Sequence, residues 1–308
     1  MDVHHLEYFL AVRDNGSIHA AAHALGITQP TISQAIKALE REMGVGLFHR
    51  IGRGMALTSA GHALVGPARQ VLREIAAAEG AVHEDEEASR GMLQIAVFPA
   101  LAAGLMSQIV ARVRQRLPRV RISVEELRDE TTATTLLRDG HVEVVAIHLP
   151  IDDPERNAHG LDFSVLGLTV LPLGRQDFWL SVPAAYADLL PDHNPIGWDE
   201  VPDIPMVFVP RGGSHAGEIE SQLSRAGKTY TPAATVEQRE TLLPLVVEGV
   251  GGTFLERSVA EHAREAGVAV RALSPSLSRP FGLVYDPDSL STAGRVLVEV
   301  AGELASPE

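Results

Sequence analysis

The first sixty positions carry apolar residues at helical spacing, in short runs separated by glycine. Leu6, Phe9, Leu10 and Val12 give one apolar face, ended by Asn15-Gly16. Ser17 is a good N-cap for a second helix, rich in alanine, that runs to Leu25 and stops at Gly26. Thr28 caps a third helix with Gln29 and Pro30 in its first turn, where the missing proline N–H costs nothing. Ile32, Ile36, Leu39 and Met43 face inward along it, and Gly44 ends it. Glycines then flank Arg53 between two short apolar runs, which predicts a hairpin, or wing, with Arg53 at its tip. Thr58 caps a long helix expected over residues 59–88. Its Leu64, Ala68, Val71, Ile75 and Val82 repeat like a coiled-coil seam, interrupted by Pro67. The seam has no evident partner in its own head, so a second copy of the chain is the economical one.

From Met92 the pattern changes to alternating strands and helices. Strands are expected at 92–98, 120–127 and 142–149, with helices at 102–117 and 131–139 between them. The run VEVVAIHL is nearly all apolar, as in a buried parallel strand. After a Pro- and Asp-rich connection, strands are expected at WLSV, MVFV, ATV, GGTFL, 268–273 and RPFGLVY. Helices are expected at 215–226, 238–248 and 258–266, and from about 291 to the end. The fold class is therefore α/β and multidomain: small helical domain, long linker helix, two α/β units.

Helices two and three, joined by Gly26-Ile27-Thr28, form a helix-turn-helix. The outward face of the third carries Gln29, Thr31, Ser33, Gln34 and Lys37, short polar groups and one amine, suited to base edges in a major groove. A solvated face of a small bundle would usually hold more Glu and Lys. Charge points the same way. Residues 1–73 hold seven basic and five acidic side chains, a balance of +2 in a chain of −14, which leaves −16 on the remainder. The acidic body repels polyanions; the head can approach them. The 308 residues suit about two domains.

Absent cysteine excludes disulfides, thiolate zinc sites, a catalytic Cys and a thiol redox sensor. No apolar run approaches the roughly 20 residues of a membrane span, and the N-terminus does not read as a secretory signal. A soluble cytoplasmic protein without membrane partner is expected. G-x-S-x-G, P-loop, H-E-x-x-H and strand-borne G-x-G-x-x-G motifs are all missing. No enzyme, cofactor or metal site is expected.

HLEYFLAV, DNGSIHAAAHALGITQPTISQAIKALEREMGVGLFHR and GRGMALTSAG together resemble the LysR-type transcriptional regulators. The match is dense over the first 65 residues and looser beyond, where TLLPLVVEGVGGTFLE resembles the family's late helix–Gly–strand step. The resemblance implies a winged helix-turn-helix over 1–58, a dimerisation linker helix and hinge over 59–90, and an effector domain like a periplasmic binding protein. Subdomain I would take 91–165 plus 269–308, and subdomain II 166–268. The third helix would then lie in the major groove. Gln29 and Gln34 would pair with adenine, Ser33 would read a base edge, Pro30 would pack on a thymine methyl, and Lys37 would reach phosphate. Arg50 and Arg53 would serve phosphate or the minor groove, and Thr31 and Thr58 the backbone. Many family members have Arg where this chain has Gln34. Dimers would read an interrupted inverted repeat with halves roughly 34 Å apart. Homotetramers and contact with RNA polymerase are also implied.

Effector contacts would come from four loops: Pro99-Ala100, Asp129-Glu130-Thr131-Thr132, Pro210-Arg211-Gly212-Gly213-Ser214-His215, and Gly252-Thr253-Phe254. In the third, two glycines and Ser214 would open a helix whose free N–H groups favour an anion, with Arg211 and His215 adding positive charge. A small carboxylate effector is expected, although Gly212-Gly213 also reads as an ordinary turn and Pro99-Ala100 offers no hydroxyl. His148 either faces the cleft or is a satisfied buried histidine. The remaining alternative is a constitutive DNA-binding regulator with no small-molecule effector.

Overall fold

The computed structural model describes residues 2–52, 54–82, 91–149, 163, 166–209 and 216–305. Three capped helices open the chain. In α1 (Val3–Asn15) the Asp2 side chain accepts from the His4 N–H; in α2 (Ile18–Leu25) Ser17 accepts from Ala20; in α3 (Gln29–Met43) Thr28 accepts from Thr31. Gly16, Gly26 and Gly44 end them in the left-handed conformation, as the glycine punctuation predicts. Their apolar faces meet in one core of Leu6, Phe9, Leu10, Val12, Ala21, Ala22, Ile32, Ile36 and Leu39. β1 (Phe48–Ile51) and β2 (Gly54–Leu57) form the expected antiparallel wing.

α4 (Ser59–Val82) is capped by Thr58, which accepts from Gly61 N at 3.0 Å, and it runs on through Pro67. The structure corrects one expectation here. The first half of α4 does have a partner in its own head: Val65 and Ala68 are fully buried against the head core, with Leu64 and Leu72 beside them. α4 lies against α1 and the wing strand β2, and Gly61 in its first turn sits directly on Leu47 and Leu57. Val71 stays exposed.

Among the described residues the body holds a seven-stranded sheet and two small parallel strand pairs. β3 (Met92–Val97) lies between β4 (Arg121–Glu126) and β5 (Val144–His148), parallel to both. α5 (Leu105–Arg116) follows a single 3-10 turn at Pro99–Leu101, and α6 (Ala133–Arg138) follows another at Glu130–Thr132. β6 (Thr169–Val182) is far longer than the WLSV run that announced it. Its first half and its second half serve different α/β units.

In the second unit lie β7 (Ile196–Gly197), β8 (Pro205–Phe208), α7 (Ala216–Arg225), β9 (Thr231–Thr235), α8 (Leu242–Val247), β10 (Thr253–Glu256), α9 (Arg257–Ala263) and β11 (Ala269–Arg271). β10 and β11 pair with the far end of β6. β12 (Leu273–Ser274) leads to β13 (Leu277–Tyr285), which returns antiparallel to both β6 and β5, and α10 (Thr292–Leu304) packs back on the first unit. β6 and β13 are thus crossing strands shared by both units. Separate cores fill the two: Leu93, Ile95, Ile109 and Leu297 in the first, Phe178, Leu180, Ile196 and Trp198 in the second.

Candidate DNA interface and effector cleft

α3 buries Ile32, Ala35, Ile36 and Leu39 and leaves its opposite edge to solvent. Gln29, Pro30, Thr31, Gln34 and Lys37 are exposed and Ser33 is half-buried. The structure therefore brings these six to one edge, with Pro30 at the open end. Gln29 hydrogen-bonds His19 on α2, and Thr31 Oγ1 lies 2.8 Å from Thr28 Oγ1. Arg50 is exposed on β1 of the wing, next to the turn at Gly52, whose φ of +60° suits glycine. Arg53 lies outside the described residues. Thr58 is less free than expected: it donates to Gly46 O at 2.7 Å as well as capping α4.

Glu40 has a role that sequence reasoning missed. It is half-buried on the flank of α3, and its Oε1 accepts from Leu47 N at 2.8 Å and Phe48 N at 3.3 Å. One carboxylate thereby fixes where the wing leaves the helix. Met55 N donates to Gly16 O at 2.8 Å and ties the wing to the end of α1. A glutamate seven residues before an apolar pair gave no readable signal of this.

In the body, the carboxyl ends of β3 and β5 and the crossing of β6 with β13 converge on a buried polar cluster. His148, at the end of β5, is buried, and its ring meets Phe98 edge-on at 5.2 Å. Glu130 Oε1 accepts from His148 N at 3.2 Å and lies 3.0 Å from its Nδ1. Gln176 Oε1 lies 2.9 Å from His148 Nε2, and the Gln176 amide donates to Ala100 O. Burial pushes the Glu130 carboxyl up, but the His148 hydrogen bond and charge outweigh it, so the group sits below its ordinary value. Arg279 is buried within electrostatic range of Glu130 and Glu218; desolvation lowers its pKa and the two carboxylates oppose the shift.

Of the predicted effector residues, the structure brings Ala100 and His148 to this cluster. Pro99 is half-buried beside it. Asp129 and Thr131 are exposed, and the Asp129 carboxylate accepts from Thr131 N at 2.9 Å, so Glu130 between them is the loop residue turned inward. Thr253 is buried and donates to Val207 O at 2.8 Å; Phe254 is buried and stacks on Trp198. Both side chains are spent on the second unit's fold. Arg211, Gly212, Gly213, Ser214 and His215 lie outside the described residues. Gln176 and Arg279 were missed. They sit more than a hundred residues apart and become neighbours only because β6 and β13 pair Gln176 with Arg279 in register.

A winged helix-turn-helix ahead of two α/β units, with a buried polar cluster where their shared strands cross, defines a DNA-binding regulator with a ligand-sensing body. Comparison with known proteins agrees. The family description "Bacterial regulatory helix-turn-helix protein, lysR family" matches residues 3–62, and "LysR substrate binding domain" matches residues 86–306. A probable hydrogen peroxide-inducible genes activator of Mycobacterium leprae (strain TN) is 27% identical over 98% of this chain and 94% of its own. Full-length CbnR, solved with its target DNA, superposes with a TM-score of 0.58 at 22% identity, covering 99% of this chain and all of that one. Full-length LysG from Corynebacterium glutamicum, solved with its effector Arg bound, gives a TM-score of 0.61 at 20% identity over 98% of this chain and 99% of that one. The chain belongs to the LysR family of DNA-binding transcriptional regulators, which carry an effector-binding domain and are not enzymes. Among the described residues no helix is long and apolar enough to cross a membrane.

Proposed function

We propose that the chain reads an interrupted inverted repeat through paired copies of α3, and that a small carboxylate held where the two α/β units meet changes how it does so. The observation that carries the first part is the uncharged polar edge of α3, exposed while the rest of that helix is buried. Gln29, Pro30, Ser33 and Gln34 read bases; Thr31, Lys37, Arg50 and Arg53 hold the DNA backbone, whereas the one hydroxyl proton of Thr58 is taken by Gly46 O. The head is only weakly basic, so one copy binds weakly and linked copies gain by effective concentration. This favours a dimer that assembles further into a tetramer, working in the cytoplasm where the operator and RNA polymerase are.

The carboxylate reading is supported by two cationic or ionisable groups, Arg279 and His148, buried around Glu130. The effector named for LysG, arginine, carries a carboxylate too. Peroxide, named for the Mycobacterium leprae relative, has no thiol to oxidise in a chain without cysteine.

Two experiments test the pair of claims. Anisotropy titrations on the protein's own promoter region and on scrambled DNA should show Ser33→Ala and Gln29→Ala losing about 1–3 kcal/mol of preference each. Equal loss on both DNAs would remove the base-reading role. Calorimetry with a panel of carboxylates and their amides should give heat only with the acids, abolished by Arg279→Gln. A panel that gives none, with an unchanged footprint, leaves a constitutive regulator.

A further inference from the structure

The head rests on the body through a built contact. Arg13 at the end of α1, and Arg69 and Arg73 one turn apart on α4, all reach the turn that joins α6 to β5. Arg13 pairs with Asp139, and its Nη1 donates to His141 Nε2 at 2.8 Å. Arg69 donates to Asp139 O at 2.7 Å and to the Asp14 carboxylate at 3.1 and 3.2 Å. Arg73 donates to Gly140 O at 2.9 Å, and its Nε lies 3.7 Å from Oε1 of Glu143, whose side chain is fully buried. Glu143 Oε2 in turn accepts from Ser291 N at 2.7 Å. Three guanidinium groups thus meet three carboxylates, Asp14, Asp139 and Glu143, and the charges balance.

The backbone is shaped for the same contact. A Cβ on Gly66, in the middle of α4, would stand 2.5 Å from Arg138 O. A Cβ on Gly140 would stand 3.2 Å from Gly66 Cα and 3.4 Å from Arg69 Cβ. Glycine weakens a helix interior, and the close approach accounts for its presence at 66. Both surfaces lack the atoms that would hold them apart.

The turn also has a particular place in the fold. It is one end of the α6–β5 unit. At the other end, the 3-10 turn entering α6 carries Glu130, and the last residue of β5 is His148. Ala133, Leu137, Val145 and Ile147 pack the unit into one core cluster. The cleft pair and the dock therefore sit on opposite ends of one short, packed piece.

We propose that the 139–143 turn is a dock for the DNA-binding head, and that α6 and β5 act as a lever between it and the cleft. Displacement of the Glu130–His148 pair moves the dock, and with it the angle at which α3 meets DNA. The direction of transfer rests on the reading of the cleft as the effector site; the dock itself does not. Coupling between sites is reciprocal, so breaking the dock must register at the cleft without any effector present.

The full-length protein is suited to the test because it has no cysteine. Ala24→Cys on α2 and Ala111→Cys on α5, both exposed, take spin labels without background. Samples diluted with unlabelled protein report the distance within one chain. We expect one narrow distribution, broadened by Asp139→Ala and, independently, by the steric wedge Gly66→Val. Hydrogen exchange should then rise about 5-fold or more over residues 130–138 and 144–148 in either variant. Unchanged distances in both variants would overturn the dock. Broadened distances with exchange altered only over 139–143 would overturn the lever. A failed carboxylate titration would touch neither result, so the two readings fail separately.

Discussion

At the dock, His141 shows how one side chain can make an interface sensitive to pH. Arginine can only donate, so the contact at Arg13 Nη1 requires an unprotonated His141 Nε2. Burial lowers the His141 pKa below its ordinary value, Arg69 and Arg13 lower it further, and Asp14 and Asp139 oppose them. An undocked His141 would titrate near its ordinary value of about 6.5. The contribution of His141 to docking is then fully present above that pH. It declines as pH falls below that value and is lost through the lower docked value, because the undocked form takes up the proton first. The label distance between positions 24 and 111 should broaden between pH 7.5 and pH 5.5, and His141→Gln, which keeps an acceptor, should flatten that dependence. A distribution equally narrow at both pH values would show that His141 does not gate the contact. Residue types alone pointed to none of this: His141 and Arg13 are 128 positions apart.

At the scale of elements, the head was the most legible part of the chain. Its caps and left-handed glycines are local, and local chemistry fixes them whatever the rest of the molecule does; of the inward face expected on α3, Ile32, Ile36 and Leu39 are buried but Met43, in the last turn, is exposed. The wing's geometry is less local, since Glu40, on the flank of α3, holds its entry. Glu40→Ala should leave two backbone N–H groups of that entry unpaired, at about 1–3 kcal/mol for each group left buried. The wing would then hold the DNA backbone poorly. We expect operator and random DNA to lose affinity alike, in contrast to Ser33→Ala, and the same anisotropy titrations check it. A selective loss on operator would instead give Glu40 a part in base reading. The long strand β6 was half hidden, because FWLSV is apolar but for Ser181 while TVLPLGRQD is broken by Pro172, Gly174, Arg175 and Asp177. A strand that passes from one unit to another changes its neighbours midway, so no single period describes it.

At the scale of the whole molecule, α4 divides its work along its length. Its Val65 and Ala68 are taken by the head, and Arg69, Arg73 and Gly66 by the dock. Val71 points away from both and is 37% exposed. Among the described side chains of the expected seam it is the most exposed, and a second copy of the chain would cover it. Val71→Asp should shift the protein toward monomer in sedimentation velocity while its thermal unfolding changes little. An unchanged oligomer would move the pairing surface elsewhere on the chain.

Sequence alone determined the helix-turn-helix, the edge of α3 that faces outward, the α/β body and the family resemblance, because each rests on spacing within a few turns of chain. It did not determine which of Asp129, Glu130 and Thr131 turns inward, since all three are polar and only the packing beneath β5 selects Glu130. It could not place Gln176 beside Arg279, or Arg13 beside Asp139, because strand register and the seating of the head are settled by burial and close approach across distant segments. Tertiary structure decided those contacts by a simple rule: buried charge must find a partner, and the partner's distance along the chain does not enter the energy.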